Sequence, residues 1–410
     1  MAGSVQLQSN GSTSEVNPEF SYFSGAFKKS TQFSIFSRKL DAETSPDFGK
    51  TLRFVIPQNC GTFLTKLSLN MKLPGITTPD VCYIESVGHA IIEHARLYIG
   101  DQLIQHIPSD YLQIYSEHNV SLTHQYTLEE RIGKYPLRVA TIPVSDSRII
   151  AHNNLGKDDT DVEMIVELPF YFYKHSSLAL PISSIDKQVV EVEVKLRDYK
   201  HLLTDVDGTY PINNVNLKPL LNATLSTELI LTEDKPKENQ DYVITQIQQN
   251  KFDIGESENE KRFRLDFTHP VKELLFVIQR EGVSPFDYDN SLKFVDDVYT
   301  VYENLKRLKL QLDDQVIISN KIGSVQFLKA VQARIHHSRT QLIRRFYSYS
   351  FALKPEEWFP TGQINFGHIK NQLLDVELHR CDPPVPRKLK VYALSYNVLN
   401  VCNGVAKLVH

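Results

Sequence analysis

Two stretches far apart in this chain repeat one pattern. "RLYIGDQLI" (96–104) and "KLQLDDQVI" (309–317) each run basic residue, Leu, any residue, aliphatic, a turn pair ending in Asp, then Gln and two aliphatics. The pattern predicts a hairpin, with Gly100-Asp101 or Asp313-Asp314 turning the chain between two strands. A second match sets "KQVVEVEV" (187–194) against "NQLLDVEL" (371–378), and a weaker third sets "LRFVIPQ" (52–58) against "LDFTHPV" (265–271). Every first copy precedes residue 200, every second copy follows residue 260, and the order is kept. The chain therefore reads as a duplicated β domain whose loops differ in length while its strands correspond.

Local patterning agrees with β structure. In "KQVVEVEVK" (187–195), Val190, Val192 and Val194 alternate with Glu191, Glu193 and Lys195, the mark of a strand with one buried face. "LKLQL" (308–312) and "KLKVYAL" (388–394) do the same. Helical periodicity is scarce. The best case is "SDYLQIYSEHN" (109–119), capped by Ser109 or Asp110, with Leu112 and Tyr115 on one face. Gly (17) and Pro (20) are scattered as turn punctuation between short strands, which predicts an all-β chain of sandwiches or barrels. Residues 1–17 read as a flexible arm, 18–230 as a first domain, the charged stretch 231–242 around Pro236 as a linker, and 243–410 as a second domain.

Composition and motifs exclude several functions. Basic and acidic side chains number 45 and 49, a net charge of −4, which argues against a dedicated nucleic-acid binder. The four cysteines, Cys60, Cys82, Cys381 and Cys402, show no zinc-ligand or disulfide-framework spacing and suit a reducing compartment. No signal-like apolar region and no membrane-spanning apolar run is seen. In that setting the sequons at Asn10, Asn119 and Asn222 read as chance matches. There is no P-loop and no G-x-S-x-G elbow. "GHAIIEH" (88–94) spaces His89 and His94 wrongly for a zincin, and as a strand it would point them to opposite faces. Asp158, Asp159 and Asp161 read as a wet loop tip rather than a cation site. The basic spot at 334–347, with Arg334, Arg339, Arg344 and Arg345 around His336 and His337, reads as a loop pairing with carboxylates of a neighbouring loop or subunit.

One stretch still invites a catalytic reading. "YSFALKPEEWFPTGQINFGH" (349–368) holds the sole tryptophan, Trp358, beside Glu356 and Glu357. Glycosidase carboxylates must converge on one bond, whereas neighbours on extended chain point apart. Pro355, Pro360 and Gly362 instead predict an ordered corner, with a glutamate satisfying backbone donors or an arginine.

The same stretch resembles the "YSFAL-x-PEE-x-x-P-S/T-G-x-x-N-F" signature of major capsid proteins of the large nucleocytoplasmic DNA viruses, such as chloroviruses and iridoviruses. The likeness runs nearly end to end. It includes "PEFSYFSGAFKKSTQF" (18–33), "SVGHAIIEHARLYIGDQLI" (86–104) and "YLQIYSEHN" (111–119). It continues through "LPFYFYKHSSLALPISSI" (168–185), "FTHPVKELLFVIQ" (267–279) and "YALSYNVLNVCNGVAKL" (392–408). Trp358 stands where the family often has His, and Ser177 replaces its usual Gly.

The resemblance implies two tandem eight-stranded antiparallel jelly rolls with few short helices. It also implies a structural role without catalysis or cofactor. Its expected partners are two further copies in a homotrimer, neighbouring capsomers, minor capsid proteins, and an internal viral membrane near the base that the chain does not span. Its place is the virion shell, assembled in the cytoplasm of the infected cell, with no direct nucleic-acid binding. Segments 119–161, 198–222, 280–304 and 318–347 are then the exposed or trimer-forming loops, and Arg334, Arg339, Arg344 and Arg345 the expected trimer contacts. The competing readings are a jelly-roll carbohydrate-binding protein or glycan hydrolase, which needs Trp358 as an exposed platform, and a minor capsid or virophage coat protein of the same fold.

Overall fold

In a computed structural model of the chain, the structure describes residues 31–409 apart from 80, 135–154, 157–158, 206–209, 214, 216–217, 235, 237–238, 283–287, 289–292, 296–297, 301–303, 340–344 and 381–383. Arg344, Asp158 and the arm 1–17 lie outside the described residues.

Strands of the first half are β1 (Phe33–Asp41), β2 (Thr51–Ile56), β3 (Phe63–Leu73), β4 (Val81–Tyr83), β5 (Ile92–Ile99), β6 (Gln102–Pro108), β7 (Val162–Glu167), β8 (Val190–Leu196), β9 (Leu203–Asp205) and β10 (Asn222–Thr232). Those of the second half start with β11 (Asn239–Ile254), β12 (Glu260–Arg264), β13 (Pro270–Arg280), β14 (Lys293–Val295), β15 (Val298–Thr300) and β16 (Leu305–Leu312). They end with β17 (Gln315–Ile318), β18 (Phe346–Ser350), β19 (Ile364–Asn365), β20 (Gln372–Leu378), β21 (Arg387–Cys402) and β22 (Val405–Leu408). The helices used below are α1 (Val87–Ile91), α2 (Ser109–His118), α3 (Leu122–Ile132) and α4 (Gln332–His336), the last continuing a π-turn over Phe327–Val331.

Sheet order reveals the duplication. The first half builds antiparallel sheets β1-β10-β3-β7 and β2-β8-β5-β6; the second builds β11-β21-β13-β18 and β12-β20-β16-β17. Strand for strand the two orders are the same, so the chain is a double jelly roll. β19 and β22 extend the β11-β21-β13-β18 sheet, while β4-β9 and β14-β15 are small separate ladders.

Two of the sequence repeats fall on equivalent strands. The first is the hairpin β5–β6 against β16–β17, and Gly100 (φ 59°) and Asp313 (φ 49°) both open their turns in the left-handed region. The second is β8 against β20, each alternating buried and half-buried residues. The third is displaced. Residues 52–56 lie in β2, whereas 265–269 lie between β12 and β13, and the topological counterpart of β2 is β12. The shared "aromatic–x–x–Pro" cue marked a strand in one copy and a connection in the other.

Local differences have physical reasons. "GHAIIEH" is not a continuous strand: α1 carries His89, and β5 begins only at Ile92. The predicted helix at 109–119 forms, but Pro108 is its N-cap and neither Ser109 nor Asp110 caps it. Asp110 is drawn away by partners in the second roll. α3 lies inside a segment read as a long loop; its buried stripe mixes Leu128 and Ile132 with Gln125 and Glu129, which blunts the apolar period.

Each roll has its own sandwich core. In the first, Phe54, Val192, Leu97 and Leu69 belong to the interior; in the second, Phe263, Leu374, Leu310 and Phe276 do. Among the described residues, the sheet β11-β21-β13-β18 is set apart because it contributes side chains from both faces to buried cores. On β13, Leu274, Phe276 and Ile278 enter the second core while Leu275 and Val277 join the core of the first roll. Hence β13 reads as a nearly continuous apolar run, buried from Val271 to Gln279. Each fully buried Leu or Val contributes about 1.5–3 kcal/mol, so this second buried face joins the rolls firmly.

Candidate functional site

Two features carry the information about function: the buried seam between the rolls, and the corner that holds Trp358.

The seam is where α2 of the first roll meets β13, β18 and β21 of the second. Burial alone would raise the Asp110 carboxyl, but the Lys390 ammonium at 2.8 Å and donors from Tyr288 (2.6 Å) and Tyr392 hold it below the ordinary range. One turn further along α2, Gln113 donates to Glu117 at 3.1 Å, and Glu117 pairs with Lys134 and with Arg339 (3.7 Å). At the end of α2 the His118 ring stacks on His337, with centroids 4.6 Å apart. His337 is gripped twice, by Glu273 at 2.6 Å and by Glu356 at 3.1 Å. Burial would lower His337, but these two carboxylates overcome it and raise the ring to about 10. His118, buried beside that charge, is pushed down to about 4 by burial first and by His337 second. Lys272, fully buried, is lowered by burial and by neighbouring Lys174, and its ammonium lies over the Tyr396 ring at 5.2 Å. Each charged group in this set has a partner across or within the seam, as buried charge requires, while among the described residues the buried His118 Nδ1 has no hydrogen-bond partner and the ring is held by stacking.

The corner closes the same seam. Glu356 accepts from the Ser338 backbone N–H at 3.0 Å, from the Ser338 hydroxyl and from His337. Its partners are thus a backbone donor, a serine and a histidine rather than an arginine. The Lys174 ammonium of the first roll reaches the Glu356 carbonyl at 3.5 Å. Trp358 is 39% exposed, and one face is taken: His175 of the first roll stacks on it at 4.7 Å with an 11° tilt, and Phe359 meets it edge-on at 5.2 Å. Pro355 is buried and Pro360 exposed. The half-exposed indole therefore serves as an inter-roll contact. Glu356 is committed to holding the 337–338 turn, so it does not converge with Glu357 on an open site.

Gly362 has φ +146°, and a Cβ there would lie 2.8 Å from the Phe351 carbonyl oxygen. Gly362→Ala is expected to lower stability by about 1–3 kcal/mol, read as a drop in thermal midpoint. An unchanged midpoint would show that the corner relaxes freely.

The expected trimer-contact arginines separate. Arg334 is exposed on α4, Arg339 is turned inward to Glu117, and Arg345 is half-buried with its backbone N–H bonded to Tyr288 at 2.9 Å. Asp159 pairs with Lys218 at 2.7 Å and Asp161 with Lys72 at 3.2 Å. His89 bonds Gln113 at 2.9 Å, while His94 meets His106 edge-on at 5.2 Å, so the two histidines of "GHAIIEH" have separate environments. Among the described residues no cluster of His, Cys, Asp and Glu is arranged to hold a metal ion.

Sequence reasoning missed the seam's Glu273, Lys272, His118 and Asp110. A signal existed: Lys272-Glu273 interrupts the apolar run "VKELLFVIQ", and charges in a strand buried on both faces must be paired.

The outer faces of β2-β8-β5-β6 and β12-β20-β16-β17 carry matching ion ladders. Arg53 pairs with Glu191 and Arg96 with Glu193 in the first roll; Arg262 pairs with Asp375 and Lys306 with Glu377 in the second.

The fold is found in solved capsid structures. A subunit of the PBCV-1 virus capsid superposes with a TM-score of 0.77 at 18% identity, covering 95% of this chain and all of that one. The Faustovirus major capsid protein gives 0.73 at 11% identity, covering 93% of each chain. The fold is thus that of a double jelly-roll capsid protein. Residues 21–228 match the family described as major capsid protein N-terminus, and residues 236–407 the family described as large eukaryotic DNA virus major capsid protein. The chain belongs to this family of major capsid proteins of large eukaryotic DNA viruses. The major capsid protein of Pyramimonas orientalis virus is 26% identical over 422 residues, covering 96% of this chain and 94% of its relative.

Proposed function

We propose that three copies of this chain close into a homotrimer whose six jelly rolls form a pseudo-hexagonal capsomer, and that these capsomers tile the icosahedral shell of a large double-stranded DNA virus. The supporting observation is the seam. It fixes two rolls of equal strand order into one block, so three blocks supply six similar sides. The interface within the trimer is permanent, burying about 2,000 Å² or more with an apolar centre. Contacts between capsomers are weaker and polar, as the ion ladders on the outer sheets suit, since exposed pairs contribute only about 0–1 kcal/mol each. Weak contacts let misplaced capsomers leave.

The base of the capsomer, with the arm 1–17, faces minor capsid proteins and an internal viral membrane. No helix among the described residues is long and apolar enough to cross a membrane. The role needs no cofactor, catalysis or direct contact with nucleic acid, and assembly takes place in the cytoplasm of the infected cell. Arg334 and Arg345, with Arg344, are trimer contacts in this reading, whereas Arg339 supports them from inside the seam.

Sedimentation equilibrium tests the proposal. A stable species of three 47.0 kDa subunits is expected. A monomer at every concentration would overturn it.

A further inference from the structure

The duplication shows that one face covered in the second roll is, among the described residues, left open along β1 in the first. The outer face of β11-β21-β13-β18 is covered by three elements of the first roll: β6, α2 and the 171–178 segment. Gln246 of β11 donates to the Ile104 carbonyl of β6 at 2.7 Å, Asp110 of α2 holds Lys390 of β21, and Tyr242 and Ile244 of β11 join the first roll's core. The equivalent sheet of the first roll is β1-β10-β3-β7. Among the described residues nothing covers its outer face along β1 and the neighbouring end of β10, although Arg131 of α3 and Tyr173 hold Glu167 on β7. Phe33 and Ile35 are each 58% exposed, and with Phe63, Ile230 and Phe172 they line an open groove of about 710 Å³.

The complementary elements of the second roll are open as well. By strand order, β17 corresponds to β6, the helical stretch 327–336 to α2, and 351–369 to the segment containing 171–178. Among the described residues, the large exposed apolar side chains of the second roll, apart from Val409 and the stacked Trp358, all stand on or beside these elements. They are Val316 and Ile322, Val331 and Ile335, and Leu353 and Phe359, with Ile335 at 63% and Leu353 at 78% exposure. His336 bonds the Leu353 carbonyl at 3.1 Å, which brings the helix end and the corner together as one surface.

We infer that the interface between chains repeats the seam within the chain: the α4, β17 and 351–361 surface of one copy packs on the Phe33–Ile35 groove of the next. The inference rests on the trimer reading above and names its two surfaces. They differ from each other, so the contact is head-to-tail, and such contacts form rings when the rotation closes.

Full-length wild type, Ile35→Glu and Ile335→Glu are compared by sedimentation and thermal melting, alone and as an equimolar mixture of the two variants. The expected result is a trimeric wild type and two folded monomers. The mixture should form dimers but no trimers, because each pair retains one intact groove and one intact helix surface. A trimeric wild type with variants that also stay trimeric would overturn the surfaces and leave the trimer standing. A monomeric wild type would overturn the trimer reading and this inference with it. If a glutamate variant does not fold, Ile35→Ser and Ile335→Ser take its place. Each should shift trimer dissociation at least tenfold toward monomer, and no shift overturns the assignment.

Discussion

Glu273→Ala is expected to lower the free energy of the first unfolding transition by about 3–5 kcal/mol, the loss seen when one member of a buried ion pair is removed. Glu273 is 2% exposed and lies 2.6 Å from His337. Without it His337 keeps Glu356 as a single carboxylate partner, while Lys272 beside it loses a compensating charge in a fully buried site. The same change leaves the interior packing of each roll in place, because the side chain belongs to the seam. The loss should therefore appear as the rolls separating before either melts. A urea titration followed by Trp358 fluorescence reads this directly, since the indole stacks across the seam on His175. Glu273→Gln should lie between wild type and Glu273→Ala, because an amide keeps a hydrogen bond but not the charge. A double-mutant cycle with His337→Ala should return a coupling of about 0.5–3 kcal/mol. A loss below about 1 kcal/mol for Glu273→Ala would show that the pair contributes little to joining the rolls.

What was legible in the sequence was whatever repeats or alternates locally. Val190, Val192 and Val194 against Glu191 and Glu193 specified both the strand β8 and its buried face. The Asp-containing turns at 100–101 and 313–314 mark the same hairpin twice, and with it the duplication. The seam was not legible because its partners are distant in sequence. Asp110 and Lys390 are separated by 280 positions, and nothing local to either names the other. His337 sits within a run of arginines and reads as part of a basic patch, although its two partners are a buried carboxylate, Glu273, and a half-buried one, Glu356. Trp358 illustrates the converse. Its neighbours in sequence suggested a sugar platform, and only the three-dimensional placement of His175 accounts for its exposed but occupied face.

The seam should also be most stable close to neutral pH and weaken on both sides, for opposite reasons at its two histidines. His118 is buried and its ring is lowered from 6.5 to about 4; the charged groups facing it are His337, Glu273, Glu117 and Glu356. A lowered folded value means that the unfolded chain binds the extra proton first. Stability is therefore intact above pH 6.5 and is lost as pH falls toward about 4, by roughly 3 kcal/mol for this one ring. His89, lowered to about 4 by burial, adds a loss of the same sign. His337 behaves in reverse. Raised to about 10 against its own burial by Glu273 and Glu356, it contributes fully below 6.5, and that contribution is lost as pH rises toward 10. Thermal midpoints measured across this range should form a dome. His118→Gln should make its acid side shallower, leaving the share due to His89, while keeping the alkaline side, and His337→Gln should flatten the alkaline side while lowering the whole curve. Two adjacent rings with displacements of opposite sign cannot both be satisfied by one added proton, so acidification places a second charge against His337 and drives the rolls apart. A midpoint that stays flat from pH 6.5 to 4 in wild type would show that His118 takes up its proton without disturbing the seam.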